Sequence, residues 1–509
     1  MYIFYNFFLI LSIPLDKIAE MCYYNVTVTY YNDIVNYKEA LMKAVNNKVT
    51  FALYFGNRGF FPGELVAGAR AEMIKAVTDA GYGYICMDED KTRYGAIETI
   101  SEGAQYAAFL EENRGKFDGV ILCLPNFGDE NGAYVALKNA GVPILVQAYP
   151  DCEGEMDFAH RRDAMCGKLA MCNLLRQAGI KYTLTEKFTP HPLSEDFKKD
   201  LIRFAGICRV VKGMKSFNLG AIGARCTAFK TVRVDEIAFQ NKGINIETID
   251  LSDVFNRVKK ITPERVAEIK ARMLEITVFA GYPETKLDNM ARVQAAFEDI
   301  VKEYDLSAVA VRCWNEFQIE LGIAPCTSLC LLNEIGVSAA CEVDITNAVM
   351  MRALSLASDA PCMLLDYNNN YGDDVNKAIM FHCGCMPPSM VEGKGEIIEH
   401  LMFKKSYGDG SGVGVNKGKI KSGNVTFGSL KTEGGRICAF ATEGKFTDDP
   451  IEPVFFGSGK VMEKENLLGV SNYMASNGYR HHIAITYGNH ADIVKEAFEK
   501  YLDYDITVL

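Results

Sequence analysis

The 509-residue sequence is poor in histidine, with seven, and in tryptophan, with one, and its 65 acids outnumber 54 lysines and arginines. A net charge of −11 leaves no basic excess to displace phosphate counterions, which argues against nucleic acid as a partner. Long apolar runs are missing as well. The run within residues 2–14 of MYIFYNFFLILSIPLDKIAE is far below the roughly twenty residues of a membrane span. It also lacks the basic flank and small-residue cleavage site of a secretory leader. Residues 1–20 therefore read as an extended or disordered start ahead of Met21, and no membrane partner is expected. There is no internal repeat, no low-complexity linker and no dense cysteine framework. Cys86, Cys123, Cys226, Cys313 and Cys341 sit singly in apolar segments, as free thiols do in a reducing compartment, so the cytoplasm is expected.

What is present is an ordinary globular composition, 49% apolar and 23% charged, with length for about three domains at ~150 residues each. From Val49, short apolar runs alternate with helical periodicity: TFALYFGNRGF then GELVAGARAEMIKAVTDAG, YGYICMDED then TISEGAQYAAFLEEN, GVILCLP then NGAYVALKNAG. That alternation predicts βαβ units and a parallel sheet over residues 21–172. A second α/β series over 173–345 includes SFNLGAIGARCTAF, TPERVAEIKARMLEIT and LSAVAVRC. Its Gly220 to Gly223 turn does not complete GxGxxG and reads as a tight strand-to-loop turn. Residues 346–509 change texture, with GSGVGVNKGKIKSGNVTFGSLKTEGGRICAFATEGKF giving short strands between glycine turns, an antiparallel, barrel-like sheet. The expected fold is thus two open α/β sheet domains followed by a β-rich domain.

Chemistry gathers in the last third. Glu342 lies between apolar Ala339 to Cys341 and a helix expected to start near Ile345, and Asp366 ends the apolar run CMLLD. A carboxylate joined to a buried strand costs several kcal/mol unless a cation or hydrogen-bond network meets it. His382 in KAIMFHCGC and His482 in GYRHHIAITY also border apolar runs. Two acids and two histidines of this kind fit a divalent-metal site, with manganese suited to carboxylate and imidazole and with iron, cobalt or zinc as alternatives. Read structurally, Glu342 is a helix N-terminal charge and Asp366 an Asx turn. Cys383 and Cys385 beside His382 offer a zinc alternative, for which the sequence shows no second cluster at suitable spacing. A hairpin closing directly after Asp366 would put it ~15 Å from His382, at ~3.3 Å per residue. The metal reading therefore expects residues 367–376 to cross over.

The order of these residues is recognisable. VRCWNEFQIELGIAPCTSL, ACEVDITNAV, LLDYNNNYGDD, FHCG and GYRHHIAITYGNHADIVKEAFEKYLDYDITVL together resemble the L-fucose isomerase and L-arabinose isomerase superfamily. The resemblance runs from about residue 48 to the end, and the separations Glu342 to Asp366, Asp366 to His382 and His382 to His482 are 24, 16 and 100 residues. It implies a manganese-dependent aldose–ketose isomerase, homo-oligomeric as a trimer or hexamer, with sites shared between subunits. It also implies that Glu342 and Asp366 ligate the metal and shuttle the proton, with His482 the late ligand. His382 aligns with a ligand of the arabinose branch, whereas aspartate at 366 resembles the fucose branch. Asn368 and Asn369 are candidate sugar contacts, and Trp314 offers a ring to stack on a sugar. Arg58, at the end of the first apolar strand, stands where such sheets bind ligands. The substrate class is a pentose, deoxyhexose or modified hexose. A non-catalytic two-lobed sugar-binding protein and a metal hydrolase are the competing readings.

Overall fold

The computed structural model describes residues 48–451 and 457–509, so the reading of residues 1–20 and of Met21 falls outside it. Five parallel strands, β1 (Thr50–Phe55), β2 (Gly83–Cys86), β3 (Gly119–Leu124), β4 (Ile144–Ala148) and β5 (Thr183–Leu184), form a sheet in the order β2-β1-β3-β4-β5. β1 and β3 read as continuous apolar runs because helices cover both faces of the sheet. Ala52, Tyr54, Val120 and Leu122 point to one face, against Tyr106, Leu110, Met171 and Leu175. Phe51, Leu53, Ile121 and Cys123 point to the other, against Met73, Phe197, Leu201 and Phe204. The helix Glu195–Lys215 thus completes the first sheet, while Ile207, Val210 and Met214 on the same helix enter the next core.

The second sheet is also parallel and open, in the order β10-β9-β6-β7. Its strands are β6 (Phe217–Ile222), β7 (Ile244–Ile249), β9 (Leu306–Val311) and β10 (Ser338–Cys341); β8 (Thr277–Val278) leaves it for a side sheet. The side sheet adds β13 (Val391–Glu399) and β14 (Val413–Ile420).

β11 (Met363–Tyr371), β12 (Asp374–His382), β15 (Gly423–Glu433), β16 (Arg436–Phe446), β17 (Ser458–Glu463) and β18 (His482–Tyr487) make the β-rich part. They are hydrogen-bonded in the order β15-β18-β11-β12-β17-β16, and β16 pairs back with β15, so the six antiparallel strands close a ring. Closure removes the exposed edges of so long a sheet. β19 (Asp505–Val508) adds in parallel to β16. Met363, Leu365, Met380, Phe427, Phe440, Met462, Ile483 and Ile485 form one buried cluster from these strands.

The expected crossover of residues 367–376 is incorrect. β11 and β12 form a hairpin that turns at Gly372 and Asp373. The strand does not end at Asp366 but continues to Tyr371, and a bulge at Asn368 shifts its register, so Asp366 pairs with Phe381, the residue before His382. Length of strand, not a crossover, brings the two sites together.

Candidate active site

Glu342 leaves β10 in a two-residue turn before the helix Ile345–Ser358. Its φ is +61° and that of Val343 is +59°. A β-branched residue in the left-handed region is a true backbone outlier, held here by the buried strand on one side and the helix on the other. Glu342 is thereby aimed out of an otherwise buried segment, where the Trp314 Nε1 donates to its Oε1 at 3.1 Å.

Asp344 is fully buried and caps that helix, its Oδ1 accepting from the Asn347 backbone N–H at 3.1 Å and from Arg480 Nη1 at 2.9 Å. Its Oδ2 accepts from His482 Nδ1 at 2.8 Å. The bond fixes the imidazole and points Nε2 of the fully buried His482 toward Glu342 Oε2, 2.9 Å away, and Asp366 Oδ1, 3.5 Å away. Register supplies the third partner, because Asp366 on β11 lies directly opposite His482 on β18. His481 Nε2 stands 3.7 Å from Asp366 Oδ1. Phe229 closes one side, with its ring centre 5.6 Å from that of His481 and 5.5 Å from that of His482.

The electrostatics are those of a tightly paired cluster. Burial would lower the His482 pKa, but Asp344 and Glu342 together push it up to about 10. Burial raises the Glu342 carboxyl, and the bond and charge of His482 outweigh that to leave it below its ordinary value. Asp344 is held well below the carboxylate range against its own burial by Arg480 and His482. Burial and the neighbouring charge of His482 lower His481.

Asp366 Oδ1 is buried without a hydrogen-bond donor of its own, and His482 Nε2, which faces it at 3.5 Å, is met by Glu342 Oε2 at 2.9 Å. Leaving the Asp366 oxygen unmet costs about 1–3 kcal/mol, which a cation held between these carboxylates and the imidazole would offset. Donor atoms of Asp366, His481 and His482 all lie within 4.8 Å of one another, and Glu342 Oε2 is 2.9 Å from His482 Nε2. Two carboxylates with imidazole nitrogen are donors that hold a divalent metal, and the Asp344 bond to the far ring nitrogen is the support that metal-binding histidines commonly have.

Of the residues expected from sequence, Glu342, Asp366, His482 and Trp314 come together. His382 is adjacent, its ring centre 6.0 Å from that of His482, but its Nδ1 lies 3.4 Å from Cys383 Sγ. Asn368 and Asn369 are exposed on the hairpin. Arg58 pairs with Glu130 at 2.9 Å and lies over the Phe127 ring in the first sheet, and no contact among the described residues joins it to Glu342. Asp344, Arg480 and His481 were not singled out from sequence. An aspartate before an apolar helix reads as a cap, which Asp344 is; its second bond, to His482, leaves no mark in the local pattern.

The model of the fucose/sulfoquinovose isomerase N-terminal domain matches residues 52–215, and that of the L-fucose isomerase C-terminal domain matches residues 380–509. A sulfoquinovose isomerase of Alkalicoccus urumqiensis is 25% identical over 416 residues, 79% of this chain and 88% of that protein. One from Priestia aryabhattai is 21% identical over 398 residues, 77% of this chain and 86% of its own. These matches displace the non-catalytic and hydrolase readings, since every one of them is to an isomerase. The chain belongs to the fucose isomerase-like family and is an aldose–ketose isomerase.

Proposed function

We propose that this isomerase depends on a divalent cation, Mn2+, held by Glu342, Asp366 and His482, and that its substrate is a hexose modified at C6, sulfoquinovose first among them. The observation that carries the metal reading is the convergence on His482 Nε2 of two carboxylate oxygens, Glu342 Oε2 at 2.9 Å and Asp366 Oδ1 at 3.5 Å, with the donor atoms of Asp366, His481 and His482 within 4.8 Å of one another. The substrate reading rests on the relatives, which bear the name sulfoquinovose isomerase.

Interconverting an aldose and a ketose moves one proton between C2 and C1 and another between O1 and O2. A bound divalent cation supplies Lewis acidity toward the two sugar oxygens, a contribution of several kcal/mol. Glu342 takes and returns the carbon proton, its second oxygen steadied by the Trp314 N–H. Asp366, with His481 beside it, serves the oxygen proton. Each such group typically contributes ~10²- to 10⁴-fold. His482 cannot hold both a proton and a cation at Nε2, and Asp344 keeps its Nδ1–H occupied, so Nε2 is the face that loses its proton on loading. The Trp314 ring borders the carboxylate and can pack on the sugar.

The same reading takes the protein as a homo-oligomer, a trimer or hexamer, in which Arg58 of a neighbouring copy reaches the sugar. It takes the cytoplasm as its compartment, supported by fifteen free cysteines among the described residues. The test is ketose formation by metal-stripped protein reloaded with Mn2+, offered sulfoquinovose, L-fucose, L-arabinose and D-arabinose. Turnover of sulfoquinovose above the others bears the proposal out; turnover of another sugar reassigns the substrate, and equal turnover without metal removes the cation.

A further inference from the structure

Beside the Glu342 cluster, with the His382 ring centre 6.0 Å from that of His482, lies a second collection of donors that the proposed isomerase chemistry does not use. Cys341, His382 and Cys385 place one donor atom each within 4.8 Å of one another, and all three are buried. Cys383 Sγ is 3.4 Å from His382 Nδ1. Cys326 Sγ is 4.0 Å from Cys383 Sγ, and Cys313 Sγ is 2.9 Å from Cys341 Sγ. Local sequence shows only the Cys383 and Cys385 pair with His382; β10 delivers Cys341 to them from 42 residues upstream.

The spacings discriminate between ligand sets. Four ligands at ~2.3 Å for Zn–S and ~2.0 Å for Zn–N stand ~3.8 Å apart as sulfur pairs and ~3.5 Å apart as sulfur and nitrogen in a tetrahedron. The 3.4 Å between His382 and Cys383 matches, whereas 2.9 Å between Cys313 and Cys341 is too close for two thiolates on one zinc. Of the thiols around the Cys341, His382 and Cys385 group, Cys383 rather than Cys313 is placed to complete it.

We propose that Cys341, His382, Cys383 and Cys385 form a second metal site that holds a structural Zn2+. The proposal is independent of the sugar-site reading. Soft thiolates select zinc where carboxylates suit manganese, so the two sites take different metals without competing. Binding releases the thiol protons to solvent and forms three Zn–S bonds and one Zn–N bond with no redox change. Its place in the fold gives it a role: Cys341 ends β10 and His382 ends β12, so zinc ties the central sheet to the hairpin that carries Asp366. His382 is then a zinc ligand in place of a sugar-site ligand.

The test uses the full chain, purified with reductant and dialysed against EDTA. Metal analysis is expected to find one equivalent of zinc retained after dialysis. Replacing it with Co2+ is expected to give thiolate-to-cobalt charge-transfer absorption in the near ultraviolet. That absorption should disappear in the double variant Cys341→Ser, Cys385→Ser and persist in Cys152→Ser, which removes an exposed thiol elsewhere. Should the double variant not fold, zinc content and the cobalt spectrum of the unaltered chain decide alone. Cobalt bound without the sulfur band, no retained zinc, or a Cys313–Cys341 disulfide in the purified chain overturns the proposal.

Discussion

At the scale of the residue, Glu342 and Asp344 divide the work across one strained turn. Glu342→Gln keeps the Trp314 contact and the shape of the site but cannot take a proton. We expect kcat to fall by at least ~10²-fold with the fold retained, and the metal-free variant to melt lower than the unaltered chain at pH 6.5, where buried His482 loses one of its two carboxylates, measured by ketose formation and circular dichroism. Asp344 reaches the chemistry only through His482, so Asp344→Asn should weaken Mn2+ binding by ~10- to 100-fold. It should also lower stability, because Arg480 is left buried without its carboxylate, at about 3–5 kcal/mol for a broken buried pair. Titration of Mn2+ into the stripped variant and its melting temperature check both. Glu342, Asp366 and His482 were legible in the sequence as charges bordering apolar runs. Asp344 was not, because its capping role alone accounts for its position, and Arg480 was not, because Thr346 and Asp344, its side-chain partners, are 134 and 136 residues away.

At the scale of the element, register does what loop geometry was expected to do. Pairing Asp366 with both Phe381 and His482 sets it between β12 and β18, and the sequence concealed this because polar Asn368 to Asn370 read as a loop. They are strand residues on an exposed stretch of the hairpin, where nothing apolar is needed. The alternating α/β pattern of the first two sheets, by contrast, was readable throughout, since strands buried on both faces leave continuous apolar runs. Packing behind the site gives a test of its support. A Cβ on Gly428 of β15 would lie 2.2 Å from the Phe440 carbonyl oxygen and 2.7 Å from Met350 Cε, on the helix that follows Glu342. Gly428→Ala should cost about 1–3 kcal/mol and weaken Mn2+ binding with it. Gly372 at the hairpin turn has φ +57° with open space around it, so Gly372→Ala should cost only roughly 1–2 kcal/mol of backbone strain and leave Mn2+ binding unchanged. Melting temperatures and metal titrations of the two variants separate support of the site from strain at the hairpin tip.

At the scale of the whole molecule, the described residues form one compact unit, and the site draws β10 from the central sheet and β11 and β18 from the barrel. No helix among the described residues is long and apolar enough to cross a membrane. The cluster couples stability to pH in the metal-free protein. His482 rises from 6.5 to about 10 on folding, so its contribution is complete below pH 6.5 and is lost as pH climbs toward 10. The stripped protein should melt at a lower temperature at pH 9 than at pH 6.5. Mn2+ affinity should move the opposite way over the same range, since loading must displace that proton. Scanning calorimetry and metal titration at matched pH values read the two trends.

The most direct measurement is turnover in heavy water by the Mn2+-loaded protein, its metal-stripped form and Glu342→Gln, with sulfoquinovose and the three alternative sugars. The loaded protein should form a ketose and exchange carbon-bound hydrogen for deuterium, and both activities should be lost on stripping, return with Mn2+ and stay absent in Glu342→Gln. Ketose formation at the full rate by the stripped protein or by Glu342→Gln would contradict it.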